Sequence, residues 1–258
     1  MFAAVEDDPV MLHGTRLDQV DAFEGLPRAS HELLAARAEI VQLAADEEVS
    51  GFGGALLVSG GAVLCATIVD AAAHWARFGE LLVARGTLAE GVAVRVVGAG
   101  DGAIVAVWPR AVLEQALAAH APCEARARAR GDRLQALAGA TMGPLGEIDD
   151  EHRRALAAEL TVRCLAPGEV WLEDGAPAPP IALVGAGEVE LYGPISEETS
   201  EAVEPGALVF PELAAIGGEA PSSARAGTSG ALLLVAERDV VTRMVERVPD
   251  LAERLRGG

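Results

Sequence analysis

The chain contains no lysine and no asparagine, so all 20 of its basic residues are arginines. A Schiff-base lysine, a P-loop lysine and a Cys-His-Asn nucleophile site are therefore excluded. Cysteine is scarce: Cys65, Cys123 and Cys164 are odd in number and form no CxxC pair, which argues against a disulfide framework or a zinc site and for reduced thiols. Positive charge is outnumbered by 39 acidic residues, giving a net charge of −19 and a pI near 4.6. That balance disfavours partners such as a phosphodiester backbone or an anionic membrane surface. The opening segment, MFAAVEDDPV, is acidic where a signal peptide needs positive charge and then an apolar run, so a cytoplasmic location is expected.

One uncharged run, residues 49–69 (VSGFGGALLVSGGAVLCATIV), is long enough to span a bilayer. Five glycines interrupt it, and Gly60-Gly61 sits between two β-type runs as a hairpin turn would. Two soluble strands, without membrane insertion, are the expectation.

With 51% apolar residues over 258 positions, the chain can bury one large core or two of roughly 120 residues each. An internal repeat favours two. GGALLVSGGAVLCA (53–66) matches PPIALVGAGEVELY (179–192), ARFGELL (76–82) matches LVFPELA (208–214), and WPRAVLEQALAAHAP (108–122) matches AERDVVTRMVERVPD (236–250). The offsets are 126, 132 and 128 residues. Each copy reads as a helix, short strands punctuated by Gly and Pro, a central loop, more strands and closing helices. That order implies a mainly β fold with flanking helices, a small barrel or jelly roll repeated in tandem. The break at Gly143-Pro144 places the copies at 1–138 and 139–258.

At these residues the chain resembles the cyclic-nucleotide-binding domain family, the jelly-roll module of catabolite activator proteins and, in tandem, of protein kinase A regulatory subunits. The second copy carries the resemblance in LAPGEVWLEDGAPAPPIALVGAGEVELYG, with its Pro-Gly-Glu entry, the glycine before a short insertion and the strand-Gly-strand hairpin. The first carries it in LVSGGAVL and FGEL, with LAADEEVSGFGG at the entry. The resemblance implies two jelly-roll β-barrels and a ligand cassette of the form Phe-Gly-Glu-Leu-Ala, about eight residues, then Arg-Ser/Thr-Ala. In that cassette the short helix offers N–H groups to a phosphate, the Glu accepts from a ribose hydroxyl and the Arg pairs with the phosphate.

Both copies depart from that pattern. In FPELAAIGGEAPSSARA (210–226), Glu212 holds the ribose position and Ser223 the hydroxyl position, but Ser222 stands where the arginine belongs. Pro211 replaces the cassette glycine and removes a donor. Losing one member of a buried charge pair costs about 2 to 5 kcal/mol. Arg225 lies an odd number of residues after Ser222, which in a strand sends it to the opposite face unless a bulge intervenes. The first copy keeps Gly79 and Glu80, yet the matching count lands on Glu90; an insertion could shift the register to Arg95, or Arg85 could approach from the loop.

Other candidates are weaker. RARARGDR (126–133) reads as a solvated helix with Glu124 and Arg128 at helical spacing, or as a surface for an acidic partner. GAGDGA (98–103) lies between β-type runs and reads as a hairpin turn rather than a dinucleotide loop. His13, His31, His74, His120 and His152 are dispersed and suggest no metal site or triad; Trp75, Trp108 and Trp171 read as core anchors. Asp149-Asp150 and Glu197-Glu198 fit polar turns and helix starts.

The leading expectation is a non-enzymatic regulatory or assembly protein with no cofactor and weakened cyclic nucleotide binding, acting through a protein partner or self-association. The alternative is a sensor of cyclic AMP, cyclic GMP or another small ligand through Glu212, Ser223 and a rearranged arginine. A contact surface is expected on the closing helices, 110–137 and 237–256.

Overall fold

Apolar runs bounded by Gly and Pro clusters form strands because β-branched and aliphatic side chains suit a pleated, half-buried surface. In the computed structural model of the protein, residues 8–193, 196–248, 251 and 253 are described. Strands β1 (Met11–Leu12) and β2 (Thr15–Arg16) pair ahead of helix α1 (Arg28–Arg37). The first unit is β3 (Glu39–Leu43), β4 (Glu48–Ser50), β5 (Gly54–Ala66), β6 (Ala72–Trp75), β7 (Leu81–Val83) and β8 (Val94–Trp108). Helices α2 (Arg110–Leu117), α3 (Ala121–Ala140) and α4 (Asp150–Glu159) connect it to the second. That unit is β9 (Thr161–Leu165), β10 (Val170–Leu172), β11 (Pro177–Ala178), β12 (Ile181–Gly193), β13 (Ser196–Val203), β14 (Gly218–Glu219) and β15 (Ser223–Ala236), closed by α5 (Arg238–Arg247).

The two units share one antiparallel plan. Long β5 pairs with long β8, β3 and β4 pair with β8, and β6 and β7 pair with β5. In the second unit β12 pairs with β15, β9 and β10 pair with β15, and β13 pairs with β12. Even the Leu56–Leu81 pairing of β5 and β7 has a counterpart in an isolated bridge between Leu183 and Leu208. Among the described residues the ladders stay open, so the jelly-roll units are open rolls rather than closed barrels.

The hairpin turns expected at Gly60-Gly61 and at 98–103 are absent: both stretches lie inside continuous strands, β5 and β8. Gly60 and Gly102 hold φ of +79° and +94°, and a Cβ on Gly60 would stand 2.1 Å from the Gly102 carbonyl oxygen. The two strands therefore bend together instead of reversing, since both halves of β5 remain paired with β8. Gly187 and Gly230 repeat the device in the second unit, with the same 2.1 Å approach.

Three apolar clusters hold the molecule together. One joins the first unit to α1 and α2 around the fully buried Trp108, whose ring meets Phe23 edge-on and whose Nε1–H donates to the Leu34 carbonyl at 2.8 Å. One lies within the second unit. The largest spans both, with Leu134, Ala136 and Leu137 of α3 packed among Leu64 and Val96 of one unit and Leu183 and Leu232 of the other. The chain position between 138 and 139 falls inside α3, which continues to Ala140.

This corrects the reading of 126–133 as wholly solvated. Arg128 does pair with Glu124 at 2.8 Å on the exposed first half of α3, but Gly131 and Asp132 begin a buried second half. No large exposed apolar side chain among the described residues lies on α2, α3 or α5; Ile68, Phe78 and Ile216, the most exposed, are on loops. Among the described residues of 110–137 and 237–256 the apolar side chains pack into the internal clusters, so the apolar surface expected on the closing helices is not found on them. Positions 249, 250, 252 and 254–256 of the second expected helix lie outside the described residues, as do the side chains of Glu197 and Glu198.

Candidate ligand-binding cassettes

In the first unit the cassette loop folds on itself. The Gly79 N–H donates to the Leu57 carbonyl at 2.9 Å, and Gly79 sits at φ +71°. Glu80, 18% exposed at its side chain, accepts from His74 Nε2 at 3.0 Å and from the Arg77 N–H at 2.9 Å, so both carboxylate oxygens are engaged inside the loop. Burial works against the charge, but the hydrogen bond and charge of His74 and the Arg77 N–H outweigh it and hold Glu80 below the usual carboxylate range. The stabilisation is thus present above the ordinary carboxylate pKa and lost as pH falls through the lowered one. Glu80→Gln is expected to cost about 1 kcal/mol at neutral pH. Urea unfolding should show that difference from the parent shrinking below about pH 4.

The rest of the loop lies against α3. Both carboxylate oxygens of the buried Asp132 accept from Thr87, one from its N–H at 2.5 Å and one from its hydroxyl at 2.7 Å. Gln135 Nε2 donates to the Ala84 carbonyl at 2.8 Å. An internal carboxylate thus takes the backbone and hydroxyl donors of the loop that follows Glu80.

The arginines weighed for this unit are committed elsewhere. Arg95, 12% exposed at its side chain, bonds Glu48, Asp70 at 2.5 Å and the Val69 carbonyl at 3.2 Å. Burial opposes its charge, but the two carboxylates prevail and raise its pKa. Arg85 donates to the Ala89 carbonyl at 2.6 Å and lines a cavity of about 470 Å³ with Arg110 and Arg128, away from Glu80. Glu90 is exposed.

In the second unit Pro211–Leu213 forms one 3-10 turn, and Glu212 is exposed on it. Glu212 and Ser222 line a cavity of about 560 Å³ together with Glu201 and Glu204, and no arginine or histidine lines it. Three carboxylates without a cation repel a phosphate. Ser223 accepts from the Asp174 N–H at 3.0 Å through its hydroxyl. Arg225 faces Glu190 across the β12–β15 ladder, at 2.7 Å, and lies 5.0 Å over the Tyr192 ring. The inward neighbours of Arg225 are the buried Ala224 and Ala226, so its side chain is on the outer face.

The remaining candidates have local roles. Asp149 caps α4 through the His152 N–H at 3.1 Å, and the His152 ring holds its pKa down. The buried His31 lies 3.3 Å from the Phe23 carbonyl, and His120 Nδ1 lies 3.1 Å from Cys123 Sγ. Burial pushes the thiols of Cys65, Cys123 and Cys164 up, away from thiolate reactivity. No group of three metal-ligating side chains is found among the described residues, and no described helix is long and apolar enough to cross a membrane. The positions that the sequence did not single out are Arg77, Thr87, Asp132, Arg133 and Arg154; for Asp132 the available signal was the uncharged Leu134–Ala140 run that follows it.

No family model and no curated protein matches the chain. Among solved structures it is similar to the N-terminal domain of a transcriptional regulator from Streptomyces coelicolor, at 22% identity and TM-score 0.39, covering 45% of this chain and 82% of that one. It is similar to the Thermus thermophilus catabolite activator protein at 24% identity and TM-score 0.40, over 45% of this chain and only 55% of that protein's length. The regulatory domain of Toxoplasma gondii PKA, crystallised with cAMP, is matched over 92% of both chains at 15% identity and TM-score 0.39.

Proposed function

We propose that this chain is a non-enzymatic regulatory or assembly module of two cyclic-nucleotide-binding-like units that has given up nucleotide binding and acts through protein contacts. The observation that carries the reading is the internal use of the cassette groups. In the first unit Asp132 takes the Thr87 donors and His74 takes Glu80. A ligand-operated module needs an element whose position depends on the ligand. Here α3 is tied to the cassette loop by a carboxylate of its own, so its docking does not wait for a phosphate. In the second unit the cavity beside Glu212 is lined by carboxylates, and Arg225 is paired with Glu190 on the other face.

Isothermal titration of the full chain with cyclic AMP and cyclic GMP, carried to about millimolar ligand, tests this. No saturable heat is expected, and Glu212→Ala should behave as the parent does. Saturable binding at low micromolar concentration that Glu212→Ala abolishes would overturn the reading in favour of a nucleotide sensor.

A further inference from the structure

A cavity of about 630 Å³ lies where the first unit meets α3 and α4, and its chemistry is the reverse of the carboxylate-lined one. His74, Trp75 and Arg77 line it from the first unit, Arg133 from α3 and Arg154 from α4, and no aspartate or glutamate does. In a chain with a net charge of −19, three guanidinium groups converge on one space.

Several of the other arginines are neutralised. Arg16, Arg28, Arg95, Arg110, Arg128 and Arg225 each pair with a carboxylate. Arg77 and Arg154 make no ion pair among the described residues. Arg133 is half-buried and, among the described residues, donates to the backbone carbonyls of Ala157 at 2.7 Å and Leu160 at 2.9 Å alone, which leaves donors over from its set of five. Its burial without a carboxylate presses its pKa down. Arg154 lies 4.4 Å over the Trp75 ring, a cation–π contact that restrains the side chain and reduces what ordering it on a ligand would cost. Glu80 does not line the cavity; its two carboxylate oxygens are engaged by the His74 ring and the Arg77 N–H.

We propose that this cavity binds a compact oxyanion of two or more negative charges, a phosphate or a polycarboxylate, held by Arg77, Arg133 and Arg154. Guanidinium forks match planar and tetrahedral oxyanions through paired N–H donors, and three of them exceed the charge of a monoanion. Glu212, Ser222 and Ser223 of the second unit have no part in the site, which adjoins the Gly79-Glu80 loop of the first through His74 and Arg77.

The test is titration of the full chain with inorganic pyrophosphate and, separately, with citrate, followed by calorimetry at low ionic strength and again near physiological salt. Saturable binding of one ligand per chain is expected; pyrophosphate alone would identify a phosphate ligand and citrate alone a polycarboxylate. Arg77→Gln and Arg154→Gln should each weaken it at least about tenfold, while Arg128→Gln, on the exposed half of α3, should leave it unchanged. Arg77 is exposed on a loop, so its variant keeps the fold, which circular dichroism verifies. No saturable heat with either probe, or equal affinity in the parent and the Arg77 and Arg154 variants, would overturn the proposal.

Discussion

Replacing Gly139 with alanine is expected to destabilise the protein by about 2 kcal/mol, the upper end of the overpacking range less the propensity gain, although alanine is the better helix former. Propensity alone favours the change by about 1 kcal/mol in a helix interior. Packing opposes it more strongly. A Cβ on Gly139 would stand 1.6 Å from the Gly185 carbonyl oxygen in β12 and 3.0 Å from Val92 Cγ2. The neighbour in conflict is backbone, so relief requires α3 to retreat from the second unit. That retreat would loosen Ala136 and Leu137, which belong to the cluster shared by both units. Overpacking of this kind costs about 1–3 kcal/mol and sometimes more. Gly185→Ala should behave alike, because its Cβ would meet Ala136 Cα at 2.4 Å. Gly193→Ala, with nothing within 4 Å and no positive φ, is the neutral control. Urea unfolding of the three variants measures the effect, and a Gly139 variant as stable as the parent would show that the two units are not held at this crossing.

Asp132→Ala is expected to cost at least as much, about 2–4 kcal/mol. Hydrogen bonds to a charged group are worth about 1.5–3 kcal/mol each, and truncation leaves the Thr87 N–H without its acceptor. Asp132→Asn keeps the shape and one acceptor oxygen and should cost about half as much. The location of the damage is as informative as its size. Hydrogen exchange should accelerate at residues 84–91 and along the second half of α3, while β9–β15 of the second unit change little. Uniform acceleration across both units would instead mean that Asp132 supports the whole core rather than tethering one loop. The tether is close as well as polar: a Cβ on Gly86 would stand 2.1 Å from Asp132 Oδ1.

Much of the organisation is legible along the chain. The 126–132-residue offsets announce two copies, and the structure repeats strand pairings and bend glycines at matching positions. Local patterns also locate α1 and α4, because Asp149 ahead of an amphipathic run is a cap with a mechanism. Gly60-Gly61 misled for a physical reason. A glycine at positive φ permits either a reversal or a bulge, and the choice depends on whether the following residues remain paired with the same distant strand. For β5 that strand is β8, which begins 28 residues after β5 ends.

The composition by itself excludes lysine chemistry and sets the acidic balance, and the periodicity determines two β-rich units with flanking helices. That Ser222 stands in the place of a cassette arginine is what the family resemblance implies. Only the tertiary structure decided that the second half of α3 lies between the units, and that Asp132 meets Thr87 across 45 residues of chain. It alone brought Arg77, Arg133 and Arg154 from three separate elements to one cavity. Periodicity reports which face of an element is buried and says nothing of what it is buried against. A small, Ala- and Gly-rich helix such as 131–140 suits solvent and interior nearly equally until two sheets close on it.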